Sequence, residues 1–318
     1  MPIPPTIVQK SQPPDSGATK LSYAVERDRK KTMDEKISTP RIENLIYDVG
    51  MHRGEDSDYY LKKGFNVIGF EANPLNAAHC RERFAGAIET GQLTLIEGAI
   101  TELEDGGQRK IKFYRNTNHS PWGSINDEWA HRNEVLGTNN EIIEVEAVNF
   151  RKCLQEYGIP YYLKADIVGS EVICLKALLE FENKPNYISI RSEKVIFRKL
   201  EEEIMLLEKL GYGKFKAVQQ DVSFSKAPDN SKEGRNIAHS FEEGASGIFG
   251  KDLEGDWRHK ERILKDYQKI FVLYWLFGDY SYLRQTEKGK KFIEQLERVV
   301  RRPLPGWYDT HAKHSSAV

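Results

Sequence analysis

Residues 47–74, YDVGMHRGEDSDYYLKKGFNVIGFEANP, decide the fold, because they read as strand, turn, helix and strand in succession. An apolar run from residue 44 predicts the first strand, and a short helix after it ends at Gly64. A second apolar run follows, and Pro74 opens the next helix. Parallel strands require a crossover connection, which is usually helical, so this stretch predicts a pair of parallel strands.

The same alternation extends along the chain. Further strands are predicted over 93–100, 161–167, 187–193 and 214–218, and helices over 170–181 and 197–211. Two extended runs, 109–116 and 141–150, flank a loop and predict a hairpin-type insertion. We therefore expect a Rossmann-like α/β fold, a mostly parallel sheet with helices on both faces.

Three regions follow from this pattern. Residues 1–40 are rich in Pro, Ser, Lys and Asp without an apolar stripe, which predicts a flexible tail. Residues 41–220 form the predicted Rossmann-like domain, with the insertion at 110–148. Residues 221–318 begin with a Gly- and Ser-rich stretch typical of a lid over a binding site, and continue with C-terminal helices.

Composition excludes several classes of protein. The 318 residues carry 47 Lys and Arg against 48 Asp and Glu, so the total charge does not favour nucleic acid or a membrane surface. Three dispersed cysteines predict neither a disulfide framework nor a zinc cluster. Prolines near the N-terminus, where a signal peptide would be apolar, favour a cytoplasmic protein. Oligomeric state stays open.

The turn after the first strand indicates the kind of ligand. Asp48, Gly50 and Gly54 form D-x-G-x-x-x-G, in which His52 occupies the second glycine position of the dinucleotide-binding motif. This leaves less room for a pyrophosphate. An acid before the glycine turn suits a positively charged ligand, such as the ammonium group of a methionine moiety.

Two further strand ends complete a cofactor site. Glu71 follows Asp48 by 23 residues, about the separation expected for a carboxylate that accepts hydrogen bonds from ribose, with Ala72 and Asn73 beside it. Small and apolar residues then end the third strand, and they predict a slot for a flat adenine ring: Gly98, Ala99 and Ile100. This order of groups predicts S-adenosylmethionine as the cofactor.

Five segments together resemble the FkbM-type family of S-adenosylmethionine-dependent methyltransferases. They are the opening stretch 47–74, LKADIVGSE at 163–171, ISIRSEK at 188–194, GASGIFGKDLEGDW at 244–257 and PGWYDTHA at 305–312. The resemblance implies a class I methyltransferase fold whose seventh strand is antiparallel, and methylation of a hydroxyl oxygen on a small molecule or sugar. By position, it implies that Asp48, Gly50, Glu71 and Asn73 bind the cofactor and that Asp166 lies beside its methionine end.

The chain departs from the family pattern at two positions. The fourth-strand motif of the family reads D-I-E-G, but Val168 replaces its glutamate, and Arg191 stands where the family has another glutamate. Both changes move the potential of the site toward positive. They predict an anionic group on a small-molecule substrate, held by Arg191. The alternative is that Arg191 pairs with Glu193 or a neighbouring acid.

An oxygen nucleophile must lose a proton, which requires a base. The candidates are Asp166, His119, His239 and Glu193, together with His52. The loop between the insertion strands predicts a substrate wall that contains Asn116, Trp122 and Ser124. The histidines show no metal-ligand spacing, so no metal is predicted.

Two other functions stay open. The loss of the acid at Val168 is also typical of a protein that binds S-adenosylmethionine or S-adenosylhomocysteine without catalysis. It is compatible as well with an enzyme that uses the cofactor differently.

Overall fold

A computed structural model of the protein describes five stretches of the chain, residues 36–102, 109–220, 226–242, 244–279 and 281–317. The predicted flexible tail, 1–40, therefore lies outside the described residues as far as residue 35. Among the described residues, no helix is both long enough and apolar enough to cross a membrane.

The strands of the described chain are β1 (Arg41–Val49), β2 (Asn66–Glu71), β3 (Leu93–Glu97), β4 (Ala99–Thr101), β5 (Lys110–Asn116), β6 (Asn140–Asn149), β7 (Ile159–Ala165), β8 (Tyr187–Arg191), β9 (Tyr212–Gln219) and β10 (Tyr308–His314). Its helices are α1 (Glu55–Lys62), α2 (Pro74–Arg83), α3 (Ala85–Glu89), α4 (Asp127–Val135), α5 (Phe150–Tyr157), α6 (Glu171–Leu178), α7 (Phe197–Lys209), α8 (Lys260–Phe277) and α9 (Glu287–Val300).

Seven of these strands form one sheet, in the order β3-β2-β1-β7-β8-β10-β9. All neighbours are parallel except β10, which runs antiparallel to both β8 and β9. The order reverses at β1, so right-handed crossovers place α1 and α2 on one face of the sheet and α6 and α7 on the other. The predicted Rossmann-like fold of class I methyltransferases is thus confirmed.

The central strands are apolar because helices cover both of their faces. Every residue of β7 is buried, as are the last five residues of β1. Near-continuous apolar runs of this kind are typical of parallel strands in the middle of a sheet. Lys164 is the one charged residue within β7, and it requires a buried partner.

The insertion forms a small separate sheet. β5 pairs antiparallel with β6, and β4 joins β6 in parallel, which gives the order β4-β6-β5. A short 3-10 turn, Ser120–Trp122, and α4 lie between β5 and β6. The loop predicted to form a substrate wall therefore extends from the end of a hairpin strand.

The described part of the predicted lid is packed on the core. The ring of Phe249 stacks on that of Tyr162 with centroids 4.5 Å apart, and Ile248 and Leu253 are buried in the same cluster. Lys63 forms a buried ion pair with Asp252 at 3.6 Å. This segment is therefore anchored to the core along much of its described length.

The predicted region 221–318 ends in a strand that follows its C-terminal helices. Residues 308–314 form β10, which lies between β8 and β9 inside the main sheet. The strand was hidden because its sequence, YDTHAKH, is polar, although Asp309, Thr310, His311 and Ala312 are all buried. The region 221–318 is consequently not separate from the Rossmann-like sheet.

Lys164 connects three elements beneath the carboxyl ends of the strands. Its Nζ donates to Asp48 Oδ1 of β1 at 2.9 Å and lies 3.2 Å from Asp56 Oδ2 of α1. Ser57 donates its hydroxyl to the other oxygen of Asp48 at 2.6 Å. All four side chains are buried, so each charge depends on the others for its compensation.

We expect Lys164→Met to lower the free energy of unfolding by about 3–5 kcal/mol, because it leaves two buried carboxylates without their cation. Chemical denaturation of the full chain would measure this. Lys62→Met is the control, since Lys62 pairs with Asp58 at the surface and its loss should cost less than about 1 kcal/mol. Equal losses in the two variants would contradict a structural role for the buried cluster.

Candidate functional site

A cavity of about 770 Å³ opens at the carboxyl ends of β1, β2, β7 and β8. Its position coincides with the reversal of strand order between β1 and β7. In open α/β sheets, ligands bind in the crevice at such a switch point. A cavity of this volume is also within the range that small-molecule sites usually occupy.

The structure brings most of the predicted site residues to this one cavity. Those that line it are Gly50, His52, Glu71, Ala72, Asn73, Gly98, Ala99, Ile100, His119, Trp122, Ser124, Asp166 and Arg191. Those that do not line it are Asp48, Gly54, Asn116, Glu193 and His239. Val168, the position at which the family motif changes, lies on the cavity wall as well.

Asp48 lies beneath the cavity floor, where it is fully buried. Its two oxygens accept hydrogen bonds from Lys164 and Ser57. It was predicted as a direct cofactor ligand, but its carboxylate is turned into the protein by these partners. Asp56, which was not predicted, lines the cavity instead.

Gly50 occupies the closest approach between β1 and β7. Its φ is +81°, and a Cβ atom there would lie 2.0 Å from the carbonyl oxygen of Asp166. Only glycine fits this position, because any side chain would push apart the two strand ends that form the floor. The glycine at position 50 thus allows the backbone at the end of β1 to pack closely against the backbone of Asp166.

Two predicted residues support the cavity from outside. Gly54, at φ +84°, faces the ring of Phe84, which a Cβ atom would approach to 2.2 Å. Asn116 is buried, and its Oδ1 accepts hydrogen bonds from the backbone N–H groups of Asn118 and His119. Asn116 therefore shapes the loop that carries His119 and Trp122.

Two of the predicted bases lie away from the cavity. Glu193 Oε1 accepts hydrogen bonds from the backbone N–H groups of Val195 and Ile196, just before α7. His239 packs between the rings of Tyr59 and Phe241. The carboxylate of Glu193 is thus engaged in local structure, whereas Nε2 of His239 is buried without a hydrogen-bond partner in the described chain. Among the described residues, no group of three His, Cys, Asp or Glu is arranged to hold a metal ion.

Glu71 presents a buried carboxylate at the end of β2. Its Oε2 accepts a hydrogen bond from the backbone N–H of His52 at 2.7 Å, and its Oε1 accepts one from that of Asn73 at 2.7 Å. Burial raises the pKa of Glu71 to about 7, against the opposing effect of these two N–H donors. A side-chain hydrogen bond from Asn76 also favours the ionised form, and the carboxylate keeps acceptor capacity for a ligand hydroxyl.

His52 holds an unusual backbone conformation next to Glu71. Its φ is +53°, and its Nδ1 lies 2.9 Å from Glu55 Oε1. The other ring nitrogen, Nε2, is buried and has no hydrogen-bond partner in the described chain. An unpaired buried polar atom on a cavity wall is costly unless a ligand satisfies it.

Val168 has a positive φ of 37°, which is rare for a β-branched residue. The serine hydroxyl of Ser124 donates to the carbonyl of Val168 at 2.8 Å, and Glu171 Oε2 accepts from the next backbone N–H, that of Gly169, at 3.0 Å. These contacts maintain a strained turn whose apolar side chain faces the cavity.

Within the described chain, three non-glycine residues have positive φ, and two of them, His52 and Val168, line this cavity. Such strain tends to cluster at functional sites.

Arg191 pairs with Asp166 across the ends of β8 and β7. Its Nη1 donates to Asp166 Oδ1 at 3.3 Å, and its guanidinium carbon lies 5.3 Å from the centre of the Trp307 ring. The alternative prediction was a pair with Glu193 or a neighbouring surface acid. The structure pairs Arg191 instead with Asp166, a partly buried acid of the cavity wall.

Several cavity residues were missed by sequence reasoning. Lys164 carried a signal, since a lysine within an apolar central strand predicts a buried partner. Asp56 holds the segment after residue 243, because its carboxylate accepts from the backbone N–H groups of Ser246 and Gly247 at 3.0 Å each. Gln220 and Trp307 reach the cavity only through the tertiary fold and gave no local signal.

No protein-family model and no curated protein matches this chain. Among solved structures, a SAM-dependent methyltransferase from Archaeoglobus fulgidus is 11% identical, with a TM-score of 0.33, over 92% of this chain and 93% of that one. The precorrin-6y C5,15-methyltransferase of Geobacter metallireducens is 11% identical, with a TM-score of 0.31, over 68% and 83% of the two chains.

Phosphoethanolamine N-methyltransferase 2 of Haemonchus contortus, solved in complex with S-adenosyl-L-methionine, is 9% identical, with a TM-score of 0.32. The match covers 92% of this chain and 52% of that one. The fold assignment rests on the strand order of the sheet and does not depend on these likenesses.

We expect Glu71 to make stability depend on pH. The folded protein holds the Glu71 proton up to about pH 7, above the ordinary value of 4.5, so the stabilising contribution is complete below 4.5 and is lost as the pH rises through about 7. Between about pH 5 and about pH 8, the free energy of unfolding should fall about 1–3 kcal/mol further in the wild type than in Glu71→Gln. Denaturant titrations at each pH would measure this. Glu89→Gln, at an exposed position, controls for the loss of one acid, and a Glu71→Gln slope equal to that of the wild type would refute the expectation.

Proposed function

We propose that the protein is an S-adenosylmethionine-dependent methyltransferase that methylates a hydroxyl oxygen of a small molecule or sugar. One observation carries this proposal: the carboxylates of Glu71 and Asp166, from the ends of β2 and β7, face the same cavity at the switch point of the sheet. One acid is then available to ribose hydroxyls and the other to the positively charged end of the cofactor.

The residues of the cavity fit this cofactor. Glu71 can accept hydrogen bonds from both ribose hydroxyls while keeping its two backbone donors. Ala99, Ile100 and Phe113 offer apolar surface suited to adenine. The unpaired Nε2 of His52 would gain a partner from a polar group of the ligand.

When bound, S-adenosylmethionine supplies a methyl group on a sulfonium, and its carbon–sulfur bond breaks as the acceptor oxygen bonds to the methyl carbon. The residues of this chain align the acceptor and exclude water. The acceptor must also release its hydroxyl proton. Asp166 is the favoured proton acceptor because its partly exposed carboxylate lies at the end of β7, and His119 is the second candidate on the cavity wall.

We further propose that the chain is a member of the FkbM-type family. The five matching segments converge in space, which supports this assignment. The first supplies the β1 turn and Glu71, and the segment at 244–257 contacts Asp56 through two backbone N–H groups. The last supplies Trp307 and β10, opposite Arg191.

The alternative function is cofactor binding without methyl transfer, or with a different use of the cofactor. Val168, in place of the family acid, is the observation that favours it. Methyl-labelled cofactor incubated with the protein and a metabolite extract distinguishes the two. A labelled small-molecule product supports the methyltransferase, and tight binding without any labelled product supports the alternative.

We expect Glu71→Ala to weaken binding of S-adenosylmethionine by roughly 1.5–3 kcal/mol, or about 10- to 150-fold, because it removes a charged acceptor from the ribose hydroxyls. Isothermal titration calorimetry would measure this. Wild-type affinity should also rise as the pH increases through about 7, because the ionised form of Glu71 is the stronger acceptor.

Glu97→Ala is the matched control for this substitution. Glu97 lies beside Glu71 in register on β3, but it is exposed and pairs with Arg81 at the surface. Its removal should leave cofactor affinity within about twofold of the wild type. Wild-type affinity in Glu71→Ala would rule out the ribose assignment.

A further inference from the structure

The guanidinium of Arg191 is a nearly buried cation on the wall of the cavity. Its side chain is 11% exposed, and it lies at the carboxyl end of β8, the second strand beyond β1 in the sheet. Glu71 and the adenine slot lie toward β2 and β3, on the other side of β1. Arg191 therefore faces the part of the cavity that the proposed cofactor site leaves for a second molecule.

Within the described part of the chain, most hydrogen-bond donors of Arg191 have no protein partner. A guanidinium has five N–H donors in a planar fork. Within the described residues, Arg191 makes one hydrogen bond, from Nη1 to Asp166 at 3.3 Å, and contacts the face of the Trp307 ring. Because Arg191 makes only this one long hydrogen bond, its guanidinium can still donate two parallel hydrogen bonds to a bidentate ligand.

The acids around Arg191 do not all offset its charge. Asp309 lies directly opposite it on β10 and is fully buried, and burial raises the pKa of Asp309 well above its ordinary value. Burial also raises the pKa of Glu171 on α6 to about 7. Lys194, three residues beyond Arg191, is a further cation, although burial lowers its pKa to about 8. Among these acids, Asp166 has the largest electrostatic effect on Arg191, and it engages one edge of the fork only.

We propose that the methyl acceptor carries an oxyanion, a carboxylate or a phosphate, which binds bidentately to the free edge of Arg191 beside Trp307. This inference rests on the proposed function and names the substrate class of that site. An oxyanion matches the fork of the guanidinium, and the indole ring offers a flat apolar surface to the body of the acceptor. Arg191 would then hold the acceptor near Asp166, which takes the hydroxyl proton.

A binding experiment can separate two roles of Arg191: direct contact with an anionic acceptor, and orientation of Asp166 alone. The test uses the full chain saturated with S-adenosylhomocysteine and three phenyl probes: benzoate, its neutral isostere benzamide, and phenyl phosphate. Calorimetry gives the affinity of each. We expect one or both anions to bind at least about tenfold more tightly than benzamide, and the stronger of the two identifies the oxyanion.

Substitutions test whether the guanidinium of Arg191 causes the preference for the anions over benzamide. Arg191→Met should remove the preference for the anion, while Arg191→Lys should retain only part of it because lysine keeps the charge without the fork. Asp166→Asn should bind the anions as well as the wild type or better, since it removes a like charge. Arg198→Met, at an exposed arginine on α7, should match the wild type.

The inference would be overturned if benzamide bound as well as both anions, or if an anion preference survived in Arg191→Met. Absence of binding by both anions at millimolar concentration would overturn it too. Arg191→Met should bind S-adenosylhomocysteine with wild-type affinity, which shows that the variant is folded. Failure of the wild type to bind S-adenosylhomocysteine would instead refute the proposed function.

Discussion

The buried contact of Lys164 with Asp48 and Asp56 is the interaction on which the site depends. It joins β7, β1 and α1 directly beneath the cavity. A buried ammonium without partners, or carboxylates without a cation, would cost several kcal/mol, so these elements keep one relative position. Asp56 also fixes the position of the segment at the cavity edge, because its oxygens accept hydrogen bonds from the backbone N–H groups of Ser246 and Gly247.

Two strained turns next to this cluster place residues on the walls of the cavity. His52 and Val168 adopt left-handed conformations that cost on the order of 1–3 kcal/mol each. Glu71 and Glu55 hold the first turn, and Ser124 and Glu171 hold the second. Val168, an apolar residue where the family resemblance implies an acid, therefore also has a structural role. Its side chain forms wall surface near the end of β7, where Asp166 and Arg191 form an ion pair.

The sequence predicted the parallel part of the sheet well, because covered parallel strands appear as apolar runs separated by amphipathic helices. Glycine turns and strand-ending acids located the cavity for the same reason, since the carboxyl ends of parallel strands meet at one edge. β10 was missed because its sequence is polar, although Asp309, Thr310 and His311 are buried in the sheet, and a polar run gives no signal of a central strand. Asp48 was assigned to the ligand because sequence does not reveal that Lys164, far along the chain, occupies its carboxylate. The partner of Arg191 was likewise decided by strand order and not by local spacing.

A crystal structure of the full chain with bound S-adenosylhomocysteine tests the central claim most directly. The account predicts ribose hydroxyls within hydrogen-bonding distance of both oxygens of Glu71, adenine beside Ile100, and the sulfur atom facing Asp166. The space between that sulfur and Arg191 should remain open to a second molecule. A nucleoside bound elsewhere on the protein, or a ribose held by residues other than Glu71, would contradict the account.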